Sequence, residues 1–293
     1  MASLAKRYRI DHGRKFRLKD WDPKDTAHFK SEKHAEKLLM RGVERLIELQ
    51  EKLHAQNQWA VLVIFQAMDA AGKDSAIKHV MSGVNPQGCE VHSFKEPSPE
   101  DLDHDFLWRT TNHLPERGHI GIFNRSYYEE VLVVRVHPEL LAREHLPPPL
   151  VSKAIWKQRF DDINTFERHL RRSGIGVLKF FLNLSKAEQK KRFLKRLDDP
   201  AKNWKYSMAD LSERARWNDY MQTYQEMIEG TAAPHAPWYV VPADNKWFTR
   251  LVVAEAIIDE LEELKPAYPK LDSAKIKELK AARAALMKGR RRK

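Results

Sequence analysis

Ala60-Val-Leu-Val-Ile-Phe-Gln66, Ala67-Met-Asp-Ala-Ala-Gly-Lys73 and Asp74-Ser-Ala-Ile-Lys-His-Val80 follow one another without interruption. The first stretch is an unbroken apolar run rich in β-branched and aromatic residues, the pattern of a strand buried on both faces. The third reads as the start of a helix. Between them lies a loop of small residues ending in Gly-Lys. A strand, such a loop and a helix make a phosphate site: backbone N–H groups at the helix N-terminus point at the anion and the lysine neutralises it. The loop departs twice from the Walker A pattern Gly-x-x-x-x-Gly-Lys-[Ser/Thr]. Ala67 stands for the first glycine, and Asp74 for the hydroxyl that ligates magnesium. The nearest substitute oxygen is the Asp69 carboxylate inside the loop, which is therefore the expected Mg2+ ligand. The competing reading is an ordinary strand-to-helix turn.

Further strands are expected at Cys89-Glu-Val-His-Ser-Phe94, Gly118-His-Ile-Gly-Ile-Phe-Asn124, Val177-Leu-Lys-Phe-Phe-Leu-Asn-Leu184 and Pro237-Trp-Tyr-Val-Val-Pro242. Helical periodicity marks residues 29–56, a segment containing Ile155, Phe160, Ile163 and Leu170, and residues 248–264. Ser98, followed by Pro99 and two acids, caps a helix reaching about Leu114. Ser185 with Glu188 forms a capping box, and Ser207 caps a helix continuing to Ile228. Strands and helices alternating at this spacing imply an α/β fold, a parallel sheet of five strands covered on both faces. No internal repeat is present.

Composition narrows the function. Of the net charge of +11, residues 265–293 carry eleven basic groups against Asp272 and Glu278, so +9 belongs to the tail and +2 to everything before it. A solvated, frayed terminus is the plain reading of that tail, and no nucleic-acid partner is expected. One cysteine, Cys89, excludes an internal disulfide and suits a reducing, cytoplasmic setting. No apolar run approaches the roughly 20 residues of a membrane span, and Met1-Ala-Ser-Leu-Ala-Lys6 lacks a signal peptide's apolar segment. The histidines form no metal-spaced cluster. Residues 1–27 read as an arm laid on a body of residues 28–264, and residues 265–293 as a basic tail.

In α/β sheets ligands sit beyond the carboxyl ends of the strands, which gathers two further clusters at the loop. At the third strand's end stand Asn124, Arg125, Ser126, Tyr127, Tyr128, Glu129 and Glu130. Asn124 can hold a metal-bound water without adding charge, and Arg125 is suited to grip a phosphate. After the fourth strand come Lys186, Lys190, Lys191, Arg192, Lys195 and Arg196, then Lys202, Lys205, Arg214 and Arg216. Between residues 186 and 205 three acids face eight bases, so the segment at about 186–216 is read as a lid closing over phosphates. Phe193, Leu194 and Leu197 supply its apolar stripe, with the charges on the other face.

Asp69-Ala-Ala-Gly-Lys73, Ser82-Gly-Val-Asn-Pro-Gln-Gly88, Phe123-Asn-Arg-Ser-Tyr-Tyr-Glu-Glu-Val-Leu-Val-Val-Arg-Val136, Trp204-Lys-Tyr-Ser207 and Val241-Pro-Ala-Asp-Asn-Lys246 together resemble the polyphosphate kinase type 2 family over about residues 28–264. The resemblance implies a thymidylate-kinase-like phosphate-loop fold and Mg2+-dependent phosphoryl transfer between inorganic polyphosphate and a nucleotide. It implies that Asp69 is the essential loop acid, that Lys73 grips phosphate, and that Asn124 and Arg125 form the site at the third strand; Ala70, Ala71, Gly72 and Asp74 of the loop are expected to complete the cofactor-binding site. Lys190, Lys191, Arg192 and Lys205 would belong to the lid. Tyr128-Glu129-Glu130 resembles the branch acting on nucleoside mono- and diphosphates, where Glu129 stands for an asparagine of diphosphate-preferring members. Asn124 departs from members with aspartate at that position. A homo-oligomer is expected. The other readings are an ATP-dependent nucleotide kinase and a nucleic-acid-binding phosphate-loop protein.

Overall fold

A computed structural model describes residues 4–29 and 31–289, the side chains of Lys205 and Lys288 excepted. Its strands are β1 (Arg9–Ile10), β2 (Ala60–Gln66), β3 (Cys89–Ser93), β4 (Ile120–Asn124), β5 (Ile175–Asn183) and β6 (Trp238–Pro242). Its α-helices are α1 (Glu32–Gln56), α2 (Lys73–Val80), α3 (Pro99–Leu102), α4 (Trp108–Thr111), α5 (Glu129–Val136), α6 (Ile155–Arg172), α7 (Lys186–Leu197), α8 (Met208–Ala215), α9 (Trp217–Thr231), α10 (Lys246–Leu264) and α11 (Ser273–Gly289).

The strands form one sheet in the order β1-β6-β5-β2-β4-β3. β2 to β6 run parallel, with β2 between β4 and β5. The expected sheet of five strands is thus one strand short. β1 pairs antiparallel to the edge strand β6, with Arg9 opposite Tyr239 and Ile10 opposite Trp238. Two residues are too few to leave a periodic signal. What fixes them is the neighbouring Tyr8, buried and donating its hydroxyl to Asp25 at 2.8 Å.

β2 is buried along its whole length because it feeds two cores. Val61, Val63 and Phe65 enter the cluster shared with α1, α2 and α10; Leu62 and Ile64 enter the one shared with α5, α6 and α9. Full burial of each such side chain is worth about 1.5–3 kcal/mol, so a slip of one residue in this central strand would exchange both cores.

Two expected helices and the basic tail differ from what is observed. The helix after Ser98 breaks into α3 and α4, because the Asp105 carboxylate takes the Leu107 N–H and its carbonyl takes Trp108 N–H. The helix from Ser207 breaks at Arg216, whose guanidinium reaches the Val136 carbonyl at 3.1 Å. Where a frayed terminus was expected, α11 is a helix, capped by Asp272 on Lys275 N–H and exposed over its described side chains. The terminal Arg290-Arg-Arg-Lys293 lies outside the described residues. Among the described residues no helix is long and apolar enough to cross a membrane.

Beneath the turn after β4 lies a polar cluster with no access to water. Lys179 and Glu167 are each 0 % exposed. Lys179 Nζ donates to Glu167 Oε2 at 2.6 Å, to the Thr231 carbonyl at 2.8 Å and to Tyr128 Oη at 2.9 Å. Glu167 Oε1 accepts from the hydroxyls of Tyr127 at 2.9 Å and Tyr128 at 2.7 Å. Burial pushes both phenols well above their usual range, and the Glu167 charge adds to the effect. This network pins Tyr127 and Tyr128, and so the residues on either side of them, Arg125 and Glu129. Removing one partner of a buried pair strands the other charge, at a cost of about 3–5 kcal/mol. Lys179→Met is therefore expected to lose about that much in urea unfolding, and a loss below about 1 kcal/mol would show that the pair does not hold the turn.

Candidate active site

The loop between β2 and α2 turns sharply enough to need left-handed backbone at Ala70 (φ 62°) and Gly72 (φ 108°). At Gly72 an added Cβ would meet nothing nearer than Arg192 Nη1 at 3.8 Å, so the demand for glycine comes from the backbone angle and not from crowding. A turn this tight aims its carbonyls outward, and each finds a donor. Lys73 Nζ donates to the Ala67 carbonyl at 2.9 Å, Ala71 N–H to Met68, and Gln189 Nε2 to Asp69 at 3.0 Å. Arg192 Nη1 takes the carbonyls of Ala70 at 3.1 Å and Ala71 at 2.7 Å, while Ala76 N–H takes that of Gly72. In a trans peptide the N–H lies opposite the C=O. With the Asp69 and Ala71 carbonyls held by α7, the amides of Ala70 and Gly72 face away from it, as an anion cradle requires.

Arg125 sits opposite the loop with φ 67°, a left-handed backbone uncommon for a non-glycine residue. Its guanidinium meets Asp69 Oδ1 at 3.0 Å and Glu129 Oε2 at 3.7 Å. Glu129, then Asp69, hold the Arg125 proton above its usual range against the opposing cost of burial. Burial raises the Glu129 carboxyl, with Arg125 and Lys73 pulling the other way. Burial lowers the Lys73 ammonium, and Arg125 lowers it further. With its amide turned to satisfy both neighbours, Gln66 donates to Glu129 Oε1 at 2.8 Å and accepts from Ser126 Oγ at 3.2 Å. Asn124 donates to Asp74 Oδ1 at 2.8 Å.

Of the residues singled out in the sequence, Asp69, Ala70, Ala71, Gly72, Lys73, Asp74, Asn124, Arg125, Glu129 and Arg192 come together. Lys190 and Lys191 do not turn inward: both are exposed, Lys191 78 % so, with Glu188 3.6 Å from its ammonium. The side chain of Lys205 lies outside the described residues. The apolar stripe expected of α7 is also different. Phe193 is buried, but Leu194 and Leu197 are exposed, and the face against the loop is Gln189 with Arg192. That i, i+3 pair marks one face of a helix, a signal available in the sequence but hidden by the surrounding lysines.

Sequence reasoning missed Gln66 and Gln189, whose uncharged amides carry no motif. It also missed Tyr224, buried on α9, whose phenol is pushed well above its usual range by burial and then by Glu129. Asp210 escaped notice as well. It caps α8, meets Arg196 at 3.5 Å, and has its carboxyl raised by burial, with the Asp69 charge adding to the rise.

The donor set suits a hard divalent cation. Asp69, Asp74 and Glu129 bring three carboxylates against the two cations Lys73 and Arg125. Among the described residues no three or more side chains stand together as a ready cage.

Comparison with known proteins agrees in family and in fold. The family model Polyphosphate kinase 2 (PPK2) matches residues 29–269. An ADP-polyphosphate phosphotransferase of Rhodopseudomonas palustris is 52% identical over 289 residues, 98% of this chain and 100% of the relative. An AMP/ADP-polyphosphate phosphotransferase of Meiothermus ruber is 42% identical over 270 residues, 92% of this chain and 97% of the relative. The crystal structure of Polyphosphate Kinase 2 from Arthrobacter aurescens superposes with a TM-score of 0.86 at 40% identity, covering 96% of this chain and 97% of the other.

Behind Glu129, Glu130 shares Arg159 with Glu144, at 3.0 Å and 3.4 Å. Burial, reinforced by Glu130, pushes the Glu144 carboxyl up to about 8. Between about 4.5, its value in the unfolded chain, and about 8 the fold binds a proton that the unfolded chain releases. That contribution is present below the window and lost as pH rises through it. Glu144→Gln should therefore gain stability relative to the parent by about 3 kcal/mol between pH 5.5 and 8 in denaturant titrations; a difference independent of pH would contradict the assignment.

Proposed function

The chain belongs to the Polyphosphate kinase 2 family, and from that premise we propose that it is a polyphosphate-dependent nucleotide kinase. It moves phosphoryl groups between inorganic polyphosphate and nucleoside mono- and diphosphates, AMP to ADP and ADP to ATP. The observation that carries the reading is the setting of Lys73 and Arg125 against the inverted loop, in a chain matched over nearly its full length by relatives named for both substrates.

The fold is read as a thymidylate-kinase-like phosphate-loop kinase. Residues 28–264 form its body, with the lid at about 186–216, residues 1–27 are an arm and residues 265–293 a tail. The loop amides and Lys73 bind the donor phosphates, and Arg125 neutralises charge between donor and acceptor. An acceptor phosphate oxygen attacks in line, so no side-chain nucleophile is required. Phosphoryl transfer of this kind needs alignment and charge neutralisation above all. Asp69, supported by Asp74, would hold Mg2+. When bound, the ion neutralises phosphate charge in the transition state. Asn124 fixes Asp74, and Glu129 orients Arg125 toward the acceptor; its place in the sequence favours acceptance of mono- as well as diphosphates. Lys190 and Lys191 supply the outer basic surface over which a long polyanion runs, Lys205 is assigned to the same lid from the sequence, and Arg192 keeps the loop in shape. The near-neutral body supports a function without nucleic acid, and the single cysteine supports a reducing, cytoplasmic setting. A homo-oligomer completes the proposal.

The direct test supplies polyphosphate, Mg2+ and either ADP or AMP, with no ATP. ATP is expected from ADP, and ADP from AMP. Product that forms only when ATP is added would make the protein an ATP-dependent nucleotide kinase instead. Loss of activity on removing residues 265–293 would point to the basic tail and overturn the assignment to the body.

A further inference from the structure

Helix α7 begins where a local capping box was expected, with Ser185 and Glu188 satisfying each other's orphan amides. Half of that box is present: Ser185 Oγ accepts from Glu188 N–H at 3.1 Å. The other half has been displaced by a distant residue. Asp244 Oδ1 accepts from Ser185 N–H at 2.8 Å, and Asp244 Oδ2 accepts from Ser185 Oγ at 2.7 Å. Asp244 lies one residue before Asn245, the N-cap of α10, yet no side chain caps α10. Its carboxylate serves the lid helix instead.

The exchange has a consequence for the loop. Released from the cap, Glu188 Oε1 accepts from Arg192 Nε at 3.0 Å. That aims Nη1 of Arg192 at the carbonyls of Ala70 and Ala71, and Nη2 at those of Ala243 at 2.6 Å and Asp244 at 3.0 Å. The turn carrying Asp244 is braced from behind by the arm, through Asp244 N–H on the Pro23 carbonyl at 3.1 Å and Asn245 Nδ2 on the Lys24 carbonyl at 3.3 Å. Lid base, phosphate loop and the turn after β6 thus meet on one guanidinium, whose orientation depends on Glu188 staying out of its own helix cap.

We propose that Asp244 is a positioning residue for the phosphate loop: by capping α7 from a distance it frees Glu188 to hold Arg192, and Arg192 holds the loop carbonyls so that the amides face the donor phosphate. It touches no reacting atom. The proposal rests on the function proposed above only for its kinetic arm, because the shape of the loop can be followed without substrate.

The test compares Asp244→Ala, Asp244→Asn, Glu188→Ala and the double variant Glu188→Ala/Asp244→Ala in the full chain. In Asp244→Ala the local box re-forms, because Glu188 is at hand, so the melting temperature changes little while Arg192 loses its anchor. Hydrogen exchange in a peptide spanning residues 67–74 should then quicken by about tenfold with α6 and α9 unchanged. For phosphoryl transfer kcat should fall about tenfold or more with the nucleotide KM within about twofold, since displaced groups near a reacting centre cost rate more than binding. Asp244→Asn keeps an acceptor for Ser185 N–H and should stay within about threefold of the parent in kcat. Glu188→Ala should resemble Asp244→Ala, and the double variant should be no worse than the poorer single one, as expected of residues acting through one intermediary. Unchanged exchange in the loop, multiplicative losses in the double variant, or an Asp244→Asn protein as impaired as Asp244→Ala would each overturn the proposal. So would failure of Asp244→Ala to fold, because the replacement cap would then not exist. Altered exchange with no transfer activity in the parent would leave this inference standing and count against the proposed function alone.

Discussion

The site depends on a constraint on backbone polarity: a turn that offers its N–H groups to an anion must put its carbonyls somewhere else. Residues 67–72 meet it completely, with Lys73, Ala71, Gln189, Arg192 and Ala76 taking the six carbonyls among them. An unsatisfied buried carbonyl costs about 1–3 kcal/mol, so a loop lacking these partners would relax and turn its amides away. Two of the five donors come from α7. Helix α7 is thereby part of the loop's support: Gln189 and Arg192 are held against the loop, while Lys186, Lys190, Lys191 and Lys195 face solvent.

Electrostatics completes what the backbone begins. Arg125 lies between Asp69 and Glu129, and the buried Lys179–Glu167 pair sets its height through Tyr127 and Tyr128. Three carboxylates, Asp69, Asp74 and Glu129, near two cations, Lys73 and Arg125, leave the site with more negative than positive groups. In the proposed function that deficit matches a donor carrying one charge on nearly every phosphate, because cation and polyanion enter together and neither is held tightly alone.

The sequence made much of this legible. The apolar run before Ala67 named the central strand, Gly72-Lys73 marked the turn into α2, and the ends of the parallel strands gathered Asn124 to Glu129 beside it. Other features had no local signature. β1 is two residues long, and its place is decided by Tyr8 in a core built from distant segments. The breaks at Asp105 and Arg216 come from side-chain bonds that no periodicity records. Charge counting rightly marked α7 as unusual but weighted Lys190 and Lys191 as heavily as Arg192. Only a three-dimensional register separates the guanidinium facing the loop from ammonium groups facing water.

The central claim is that a carboxylate inside the anion-binding turn does the work of the missing loop hydroxyl. Asp69→Asn removes the charge and leaves the backbone carbonyl that Gln189 holds. Steady-state turnover of polyphosphate with ADP at saturating Mg2+, measured beside the melting temperature, should drop by about a hundredfold or more in this variant while the protein melts within a few degrees of the parent. Turnover within a few-fold of the parent would contradict the claim and move the metal to another carboxylate.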